Sequence, residues 1–376
     1  MMPACTFLSN ATRADLTSSA VQDVLKGAIS DKIFPGCAAA VVPFASSQED
    51  VLVLEGLRTE EALSPVAKQT VYDLASLTKI MCTGVLVAQA KVDGLLSFDD
   101  CPFPSWPGIQ IQHLLAHNSG LPDWKPFYER VPPEKTGIRE GKTLLVEEVL
   151  TTPPEAKIEE QTCYSDLGFI ALGHHLETCY QAPLEKVYHD WLRENIPQCQ
   201  AHFVPLAEQG FHPQLNDVAP TAKCEWRGRR MHGQVHDDNC FVMGGVSGHA
   251  GLFGRLQDVV AFGRWLFETL QTSSPLALVL KDMCQAPYER ALAFDRPTEG
   301  GSTGESLSPN AIGHLGFTGT SLWLDLGDNT HPAALYVLLT NRIYYEDTLA
   351  EFKKIRRRFH QEATTYLTHS FREKIL

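Results

Sequence analysis

The sequence predicts an α+β fold, in which a sheet-based lobe made from both ends of the chain holds a mostly helical lobe inserted between them. Strand-like apolar runs lie near the two ends, at residues 37–42, 51–56, 314–325 and 333–340. The residues between them carry apolar side chains at the spacing of helices. With 376 residues, the chain also exceeds the length for which one hydrophobic core usually suffices.

The elements follow from local patterns. Leu16–Ser30 has the periodicity of a helix, and the polar residues 46–50 between the first two strands indicate a hairpin. The apolar stretch Val71–Lys91 is interpreted as one helix with Gly94 as its C-terminal cap. Further helices are predicted at residues 111–120, 144–150, 167–176, 181–200, 258–270 and 348–367. The runs 314–325 and 333–340 are predicted to be two strands joined by a turn at Leu326.

These elements suggest two lobes. We place the sheet-based lobe at residues 16–72 and 255–376, where an antiparallel sheet is flanked by terminal helices. The helical lobe comprises residues 73–254. An active site is expected between the two lobes.

The charge of the chain excludes one class of function. The formal net charge is -13, whereas a nucleic-acid-binding protein needs a basic surface to neutralise phosphates. We therefore expect no nucleic-acid partner.

The sequence also bears on location. The first ten residues show neither the basic region nor the apolar region of a signal peptide. The longest stretch without Asp, Glu, Lys or Arg is Cys101–Pro122, and its prolines make it a poor membrane helix. We expect a cytoplasmic protein without stable membrane insertion, or a periplasmic or secreted protein if a leader has been removed. The ten cysteines have no repeating spacing, so free thiols are expected.

The predicted helix at Val71–Lys91 contains a serine and a lysine that can react together. Ser76 and Lys79 stand three residues apart and therefore share one helix face. Lys79 lies among apolar residues, and desolvation lowers the pKa of a lysine, which would convert the ammonium into a base. A pKa near 7 requires a shift of about three units, which full burial can supply. The alternative is a structural serine beside a lysine whose amine reaches solvent.

Metal sites are the next alternative. His113 and His117 are four residues apart, but core or helix-capping roles are favoured because no third ligand is nearby. The segment His232–Cys240 also contains several donors, although its spacing matches no zinc pattern. We expect no metal and no cofactor.

Three other polar groups have local explanations. Tyr164 and Asp166 immediately precede an apolar helix, where Asp166 can serve as a cap. Arg227, with its neighbours Arg229 and Arg230, is expected at the surface. The basic cluster Lys353–Arg358 in the last helix is expected to form a solvated face.

Three motifs stand in order along the chain: Ser76-Leu-Thr-Lys79, Tyr164-Ser-Asp166 and His314-Leu-Gly316. Together they resemble the serine β-lactamase and penicillin-binding-protein superfamily, in particular its class C-like branch, which includes esterases and D-amino-acid peptidases. The resemblance extends over roughly residues 33–342 and includes the context Gly316-Phe-Thr-Gly-Thr. It implies a β-lactamase/DD-peptidase-like fold.

The resemblance also implies acyl transfer. Ser76 would attack a carbonyl carbon and form an acyl-enzyme, while Lys79 and Tyr164 would share the proton transfers. Which of these two accepts the serine proton stays open. The backbone amides of Ser76 and Phe317 would form the oxyanion hole. Asp166 would orient Lys79 and substrate.

The third motif departs from the superfamily pattern, in which many members have Lys-Thr-Gly. Here His314 and Gly316 keep the outer positions assigned to substrate binding, but histidine is largely neutral at pH 7 and Leu315 has no hydroxyl. Both changes weaken a site for a substrate carboxylate. We therefore expect a small ester or amide without that carboxylate to be the better substrate.

Other functions remain open on the sequence. A β-lactamase or D-stereospecific peptidase acting on a lactam or a D-peptide is the first alternative. A non-catalytic binding protein on the same fold is the second. A metal-dependent hydrolase that uses residues 232–249 is a third.

Overall fold

The computed structural model describes residues 13–44, 48–206, 215–346 and 348–375. The helices are α1 (Arg13–Ser30), α2 (Val85–Val92), α3 (Ile111–Leu115), α4 (Arg139–Thr151), α5 (Asp166–Tyr180), α6 (Leu184–Asn195), α7 (Asp238–Val242), α8 (Leu256–Leu270), α9 (Pro275–Gln285) and α10 (Leu349–Ile375). The strands are β1 (Gly36–Pro43), β2 (Val51–Thr59), β3 (Ser64–Pro65), β4 (Val71–Asp73), β5 (His202–Phe203), β6 (Lys223–Cys224), β7 (Arg229–Arg230), β8 (Leu252–Arg255), β9 (Ile312–Leu315), β10 (Ser321–Asp325) and β11 (Ala334–Thr340).

The largest sheet joins the two ends of the chain. Its six strands run in the order β3-β2-β1-β11-β10-β9. The central pair is β1 and β11, which are antiparallel with Cys37 opposite Thr340. Both ends of the chain therefore build one antiparallel sheet, which confirms the α+β prediction.

The sheet separates two hydrophobic cores. Cys37, Ala39 and Val41 belong to a smaller core together with residues of α1 and α10, which pack against each other. The alternate residues of β1 belong to a larger core with α8 and the helices of the middle of the chain. This period of two is expected for a strand that is buried on both faces. The lobe boundaries proposed above stay a prediction.

The stretch Val71–Lys91 is not one helix, so that prediction was wrong. Residues Val71–Asp73 form β4, which pairs with β8, and helical residues begin at Leu77. The first part of this helix, Lys79–Gly84, has π-helical hydrogen bonding and continues into α2. A short buried strand and a buried helix both appear as apolar runs, so periodicity could not separate them.

The C-terminal strands also differ from the prediction. The run predicted as one strand at residues 314–325 is divided into β9 and β10 by a turn at Gly316–Thr320. The helices α7 and α9 were not predicted, whereas the remaining predicted helices are present with shifted ends. The predicted hairpin loop lies partly outside the described residues. Within the described part of the chain, no helix is long and apolar enough to cross a bilayer, and the nine cysteines it contains are free thiols.

Candidate active site

Ser76 lies in a tight turn between β4 and the following helix. Ala75, immediately before it, has φ of +48°, a left-handed conformation that is uncommon for residues other than glycine. The carboxylate of Asp73 stabilises the turn, because its Oδ1 accepts a hydrogen bond from the Ala75 amide at 2.9 Å. Its Oδ2 accepts the amide of His236 at 2.7 Å, which ties the turn to a distant loop. Ser76 is thereby placed just before the first helical residue, Leu77.

Lys79 connects Ser76 to the other polar groups. Its side chain is fully buried, and its Nζ donates to Ser76 Oγ at 3.0 Å and to Asp166 Oδ1 at 2.6 Å. The carbonyl oxygen of His249 accepts a third hydrogen bond from Nζ at 3.2 Å. All three ammonium donors are therefore used, and Asp166 is the first residue of α5 rather than its cap.

Tyr164 completes this network. Its hydroxyl is within hydrogen-bonding reach of Lys79 and Ser76, and Lys79 Nζ lies 4.8 Å from the centre of its ring. The ring stacks on His117 at 4.6 Å between centroids. His117 in turn accepts the amide of Ser165 at Nδ1, 2.9 Å away. The Ser76–Lys79 segment and Tyr164 therefore meet at one hydroxyl, while His117 supports the ring of Tyr164.

The two histidines considered as metal ligands have structural roles. His117 supports Tyr164, and His113 Nδ1 accepts the amide of Gln110 at 3.0 Å at the start of α3. This confirms the core and capping roles that were favoured for them.

The protonation of Lys79 differs from the sequence-based expectation. Burial acts to lower its pKa, but the charges and hydrogen bonds of Asp166 and Tyr164 outweigh burial, so the net shift is upward. Burial also raises the pKa of Tyr164 to about 12, although Lys79 opposes this effect. The resting site therefore holds an ammonium paired with a carboxylate and a neutral phenol.

The turn between β9 and β10 is fixed to the backbone just before Ser76. Thr318 Oγ1 donates to the carbonyl oxygen of Asp73 at 2.7 Å, and Thr320 Oγ1 donates to that of Leu74 at 3.0 Å. A Cβ on Gly316 would lie 2.0 Å from Thr320 Oγ1 and 2.7 Å from the Leu74 oxygen. Close backbone approach therefore requires glycine at this position.

The same turn carries the second candidate oxyanion donor. The backbone amides of Ser76 and Phe317 do not donate to any acceptor within residues 13–44, 48–206, 215–346 and 348–375. The Phe317 side chain is 62% exposed and lines the cleft with Ser76. Two unused amides on joined segments are what an oxyanion hole needs.

His314 is buried next to the ring of Tyr164. It is 1% exposed, and the two rings are 5.8 Å apart between centroids. Burial lowers the pKa of His314 to about 4, so the ring is neutral at pH 7. Leu315 points to the opposite face of β9 and packs against the smaller core, so its missing hydroxyl has no bearing on the cleft. Besides Lys79, Arg290 lies near the Tyr164 ring, 5.1 Å from its centre, and is ion-paired with Asp295.

Three residues that sequence reasoning missed support the site: Asp73, described above, Asp237 and His249. His249 is buried, and its Nε2 lies 2.8 Å from Asp237 Oδ1 while its Nδ1 lies 2.8 Å from Ser247 Oγ. Burial acts to raise the pKa of Asp237, but His249 holds it at about 2. For Asp237 and His249, the only indication in the sequence was the number of donor residues in the segment 232–249, which was interpreted as a weak metal motif.

One group of ligand atoms could in principle hold a metal. Asp166, Asp237 and His249 each place one such atom within 4.8 Å of the others. Both carboxylates, however, already have partners in the protein, because Lys79 bonds Asp166 and the Nε2 of His249 lies 2.8 Å from Asp237 Oδ1. The possible ligand atoms of these three residues are therefore already engaged in the contacts around Ser76.

The cleft in front of Ser76 has a volume of about 460 Å³. Its acidic lining residues are Asp73, Asp123, Asp166, Asp237 and Asp238, and Trp124 adds an exposed aromatic wall. Asp238 is paired with Arg227 at 2.6 Å, and that arginine side chain is only 3% exposed. The expectation of a surface position for Arg227 was therefore wrong, because it compensates a cleft carboxylate and stacks on Phe241.

A serine hydroxyl, a buried amine and a phenol in one hydrogen-bonded group, with two free amides beside them, define a serine hydrolase on this α+β fold. The chain belongs to the β-lactamase family, because the family model described as Beta-lactamase matches residues 22–356.

Curated relatives agree with this family. The chain is 30% identical over 314 residues to an N-acetylmuramyl-L-alanine amidase of Bacillus subtilis (strain 168), covering 73% of this chain and 68% of that protein. It is 28% identical over 293 residues to a putative D-alanyl-D-alanine carboxypeptidase of Escherichia coli (strain K12), covering 68% of this chain and 66% of that protein. The matches thus span about two thirds of these relatives.

Solved structures share the fold. EstCE1, a hydrolase with promiscuous acyltransferase activity, has a TM-score of 0.69 at 18% identity, covering 93% of this chain and 100% of that chain. A class C β-lactamase from Rhodobacter sphaeroides has a TM-score of 0.66 at 16% identity, covering 93% and 99%. These similarities confirm the expected β-lactamase-like fold.

Proposed function

We propose that this protein hydrolyses a small ester or amide through an acyl-enzyme on Ser76. The observation that carries the proposal is the hydrogen bond of 3.0 Å between Lys79 Nζ and Ser76 Oγ, with the Tyr164 hydroxyl in reach of both. A nucleophile held by its proton acceptor, which is itself oriented by a third group, is the arrangement that activates a serine.

The proton transfers follow from the resting charges. Lys79 is an ammonium, so it accepts the serine proton only after it has passed one of its own protons to Asp166, whose Oδ1 lies 2.6 Å away. This transfer leaves a neutral amine, which can accept a proton, and a neutral carboxylic acid. Ser76 then gives its proton to the amine as its oxygen bonds to the carbonyl carbon. Tyr164 provides a second route by which the proton released by Ser76 can reach the leaving group.

The oxyanion would be held by the amides of Ser76 and Phe317. Both are free of other acceptors in the described part of the chain, so neither must break a hydrogen bond to receive the negative oxygen. Losing one such donor typically costs about 10²–10³ in rate. Water then attacks the acyl-enzyme, and the proton transfers run in the reverse direction to restore Ser76.

The substrate is proposed to lack a carboxylate near the reacting carbonyl. His314 is neutral and buried, Arg290 is neutralised by Asp295, and the cleft is lined with carboxylates. Lys79 and Arg227 are already paired with Asp166 and Asp238, and the described lining residues of the cleft include no lysine or arginine, so an anionic substrate would find no unpaired cation among them. A neutral or cationic acyl compound fits this lining better.

Paired chromogenic esters test this proposal. The neutral p-nitrophenyl acetate and the anionic p-nitrophenyl hemisuccinate have the same leaving group and differ by a carboxylate. We expect kcat/KM for the acetate to exceed that for the hemisuccinate by at least about tenfold, and nitrocefin to be slower still. Ser76→Ala should abolish all three activities. Preference for the hemisuccinate or for nitrocefin would contradict the proposed substrate class.

A second candidate is hydrolysis of an amide in a D-amino-acid or muramyl peptide. The names of the two bacterial relatives favour it. The same Ser76 chemistry would serve, so release of an amine from such peptides, measured beside the esters, separates the two candidates.

A further inference from the structure

A second cavity lies on the other side of β9 from Tyr164. It has a volume of about 360 Å³ and lies between α10 and the segment 289–303. Four of its lining residues are cationic, namely Arg290, Arg296, Lys353 and Arg356. Its acidic lining residues are Glu289 and Asp295, and Asp295 is already paired with Arg290. The cavity therefore has an excess of positive charge, although the whole chain is acidic.

Arg356 is the most unusual of these cations. It is 4% exposed, and no carboxylate of the described residues lies within ion-pair distance of it. One of its terminal nitrogens donates to the carbonyl oxygens of Thr320 at 2.6 Å and Gly316 at 3.3 Å, whereas its Nε has no acceptor among the described residues. A buried guanidinium without a counter-charge is costly, which indicates that an anion completes it.

The neighbouring donors also lack an anionic partner or an acceptor among the described residues. Trp323 is 3% exposed, and its indole Nε1 has no acceptor in the described part of the chain. Arg296 donates only to backbone carbonyl oxygens, of which Ala286 is the nearest at 2.7 Å. Lys353 is exposed and forms no ion pair with any described residue. The cavity thus combines free positive charge with unused hydrogen-bond donors.

We propose that this cavity binds a small molecule through an oxyanion group, a phosphate or a carboxylate. Arginine presents several N–H donors in a planar fork that matches both groups, and lysine adds a mobile charge. The volume suits a small metabolite rather than a macromolecular segment. Arg356 also donates to the carbonyl oxygens at both ends of the Gly316–Thr320 turn. A ligand bound to Arg356 would therefore contact a residue that supports the turn carrying Phe317.

Isothermal titration calorimetry of the full chain with inorganic phosphate and with succinate tests this site. Ionic strength is held constant with sodium chloride, so that a general salt effect gives no saturable signal. Lys353→Gln removes one cavity cation at an exposed position. Lys354→Gln is the matched control, because Lys354 is the next residue, is also exposed, and pairs with Glu351 outside the cavity. Trp323→Phe removes the indole donor while keeping an aromatic ring.

We expect saturable binding of at least one of the two anions, and the preferred anion identifies the group. Lys353→Gln should weaken binding about fivefold, the usual scale of one exposed ion pair, and Trp323→Phe should also weaken it. Lys354→Gln and Ser76→Ala should bind as the wild type does, so the result is independent of the proposed hydrolysis. The proposal is overturned if neither anion binds saturably, or if Lys353→Gln and Lys354→Gln weaken binding equally.

Discussion

Lys79 is held as an ammonium by a carboxylate, although its burial acts to lower its pKa. The sequence showed only the apolar neighbours of this lysine, and from them a lowered pKa was expected. The structure adds Asp166, which is 87 residues away in sequence and 2.6 Å away in space. At the scale of single residues, the direction of a pKa shift therefore depends on a partner that no local pattern identifies.

Asp166→Asn should change the pH dependence of hydrolysis. Without the carboxylate, burial becomes the dominant influence on Lys79, so the pKa of Lys79 should fall. We expect the kcat/KM profile to shift by at least about one pH unit towards acid, with a rate reduced about 10–10³-fold. Asp123→Asn is the matched control, since Asp123 lines the same cleft without bonding Lys79. Identical profiles for both variants would contradict the proposed role of Asp166.

The residues of the site were predictable to different degrees. Ser76, Lys79 and Tyr164 were found because the order of their motifs resembles a known family. Asp73 and the pair of Asp237 and His249 were missed, because their contacts join segments more than 150 residues apart or lie in a loop without a recognisable spacing.

The elements that support the site are two turns joined by side-chain hydrogen bonds. Thr318 and Thr320 donate to the backbone just before Ser76, so the position of the Phe317 amide depends on the contact between β4 and the β9–β10 turn. This turn was not predicted, because residues 314–325 have the composition of one strand. A turn with only two glycines and two buried threonines gives a weak signal.

Thr318→Val should impair catalysis more than stability. The valine keeps the shape of threonine but removes the hydrogen bond of 2.7 Å to the Asp73 carbonyl oxygen. We expect kcat to fall at least about tenfold, because the Phe317 amide is displaced, while the free energy of unfolding falls by about 1–2 kcal/mol.

Thr318→Ser serves as the control for this prediction, since it keeps the hydroxyl and should retain most of the wild-type kcat. Steady-state kinetics and urea unfolding measure the two effects. Equal kcat values for Thr318→Val and wild type would show that the turn is positioned by other contacts.

The element α9 was also missed, although its start is marked in the sequence. Ser274 caps it by accepting the amide of Ala277 at 3.2 Å, and Pro275 occupies its first position. These are favourable residues for a helix start, so this element was predictable. The buried position of Arg356 was not predictable, because a basic cluster on a helix usually faces solvent.

For the whole molecule, buried histidines contribute to the response to acid. Burial lowers the pKa of His314 to about 4 and that of His360 to about 3, whereas both take ordinary values near 6.5 once unfolded. The unfolded chain therefore binds more protons than the native protein in this range. The contribution of these two histidines to the free energy of unfolding is fully present above about pH 6.5. It is lost as the pH falls towards 4 for His314 and towards 3 for His360.

His360→Phe should reduce this acid sensitivity. Neither ring nitrogen of His360 has a partner in the described part of the chain, and the ring packs on Phe359 and Tyr336, so an apolar ring fits the site. Between pH 7 and 4.5 the wild type should lose about 2–3 kcal/mol more unfolding free energy than the variant. Urea titrations at the two pH values measure the difference.

The exposed His189→Gln, which also removes one histidine, is the matched control for His360→Phe and should keep the wild-type slope. If His360→Phe loses as much stability between the two pH values as the wild type, the buried ring is not the source of the acid sensitivity.

The central claim is that Ser76 is the activated nucleophile, and covalent labelling tests it most directly. The folded protein would be treated with a fluorophosphonate probe and analysed by peptide mass spectrometry. We predict one adduct per chain, on Ser76, that is absent after denaturation before labelling. Labelling of a different residue, or equal labelling of the Ser76→Ala variant, would contradict the claim.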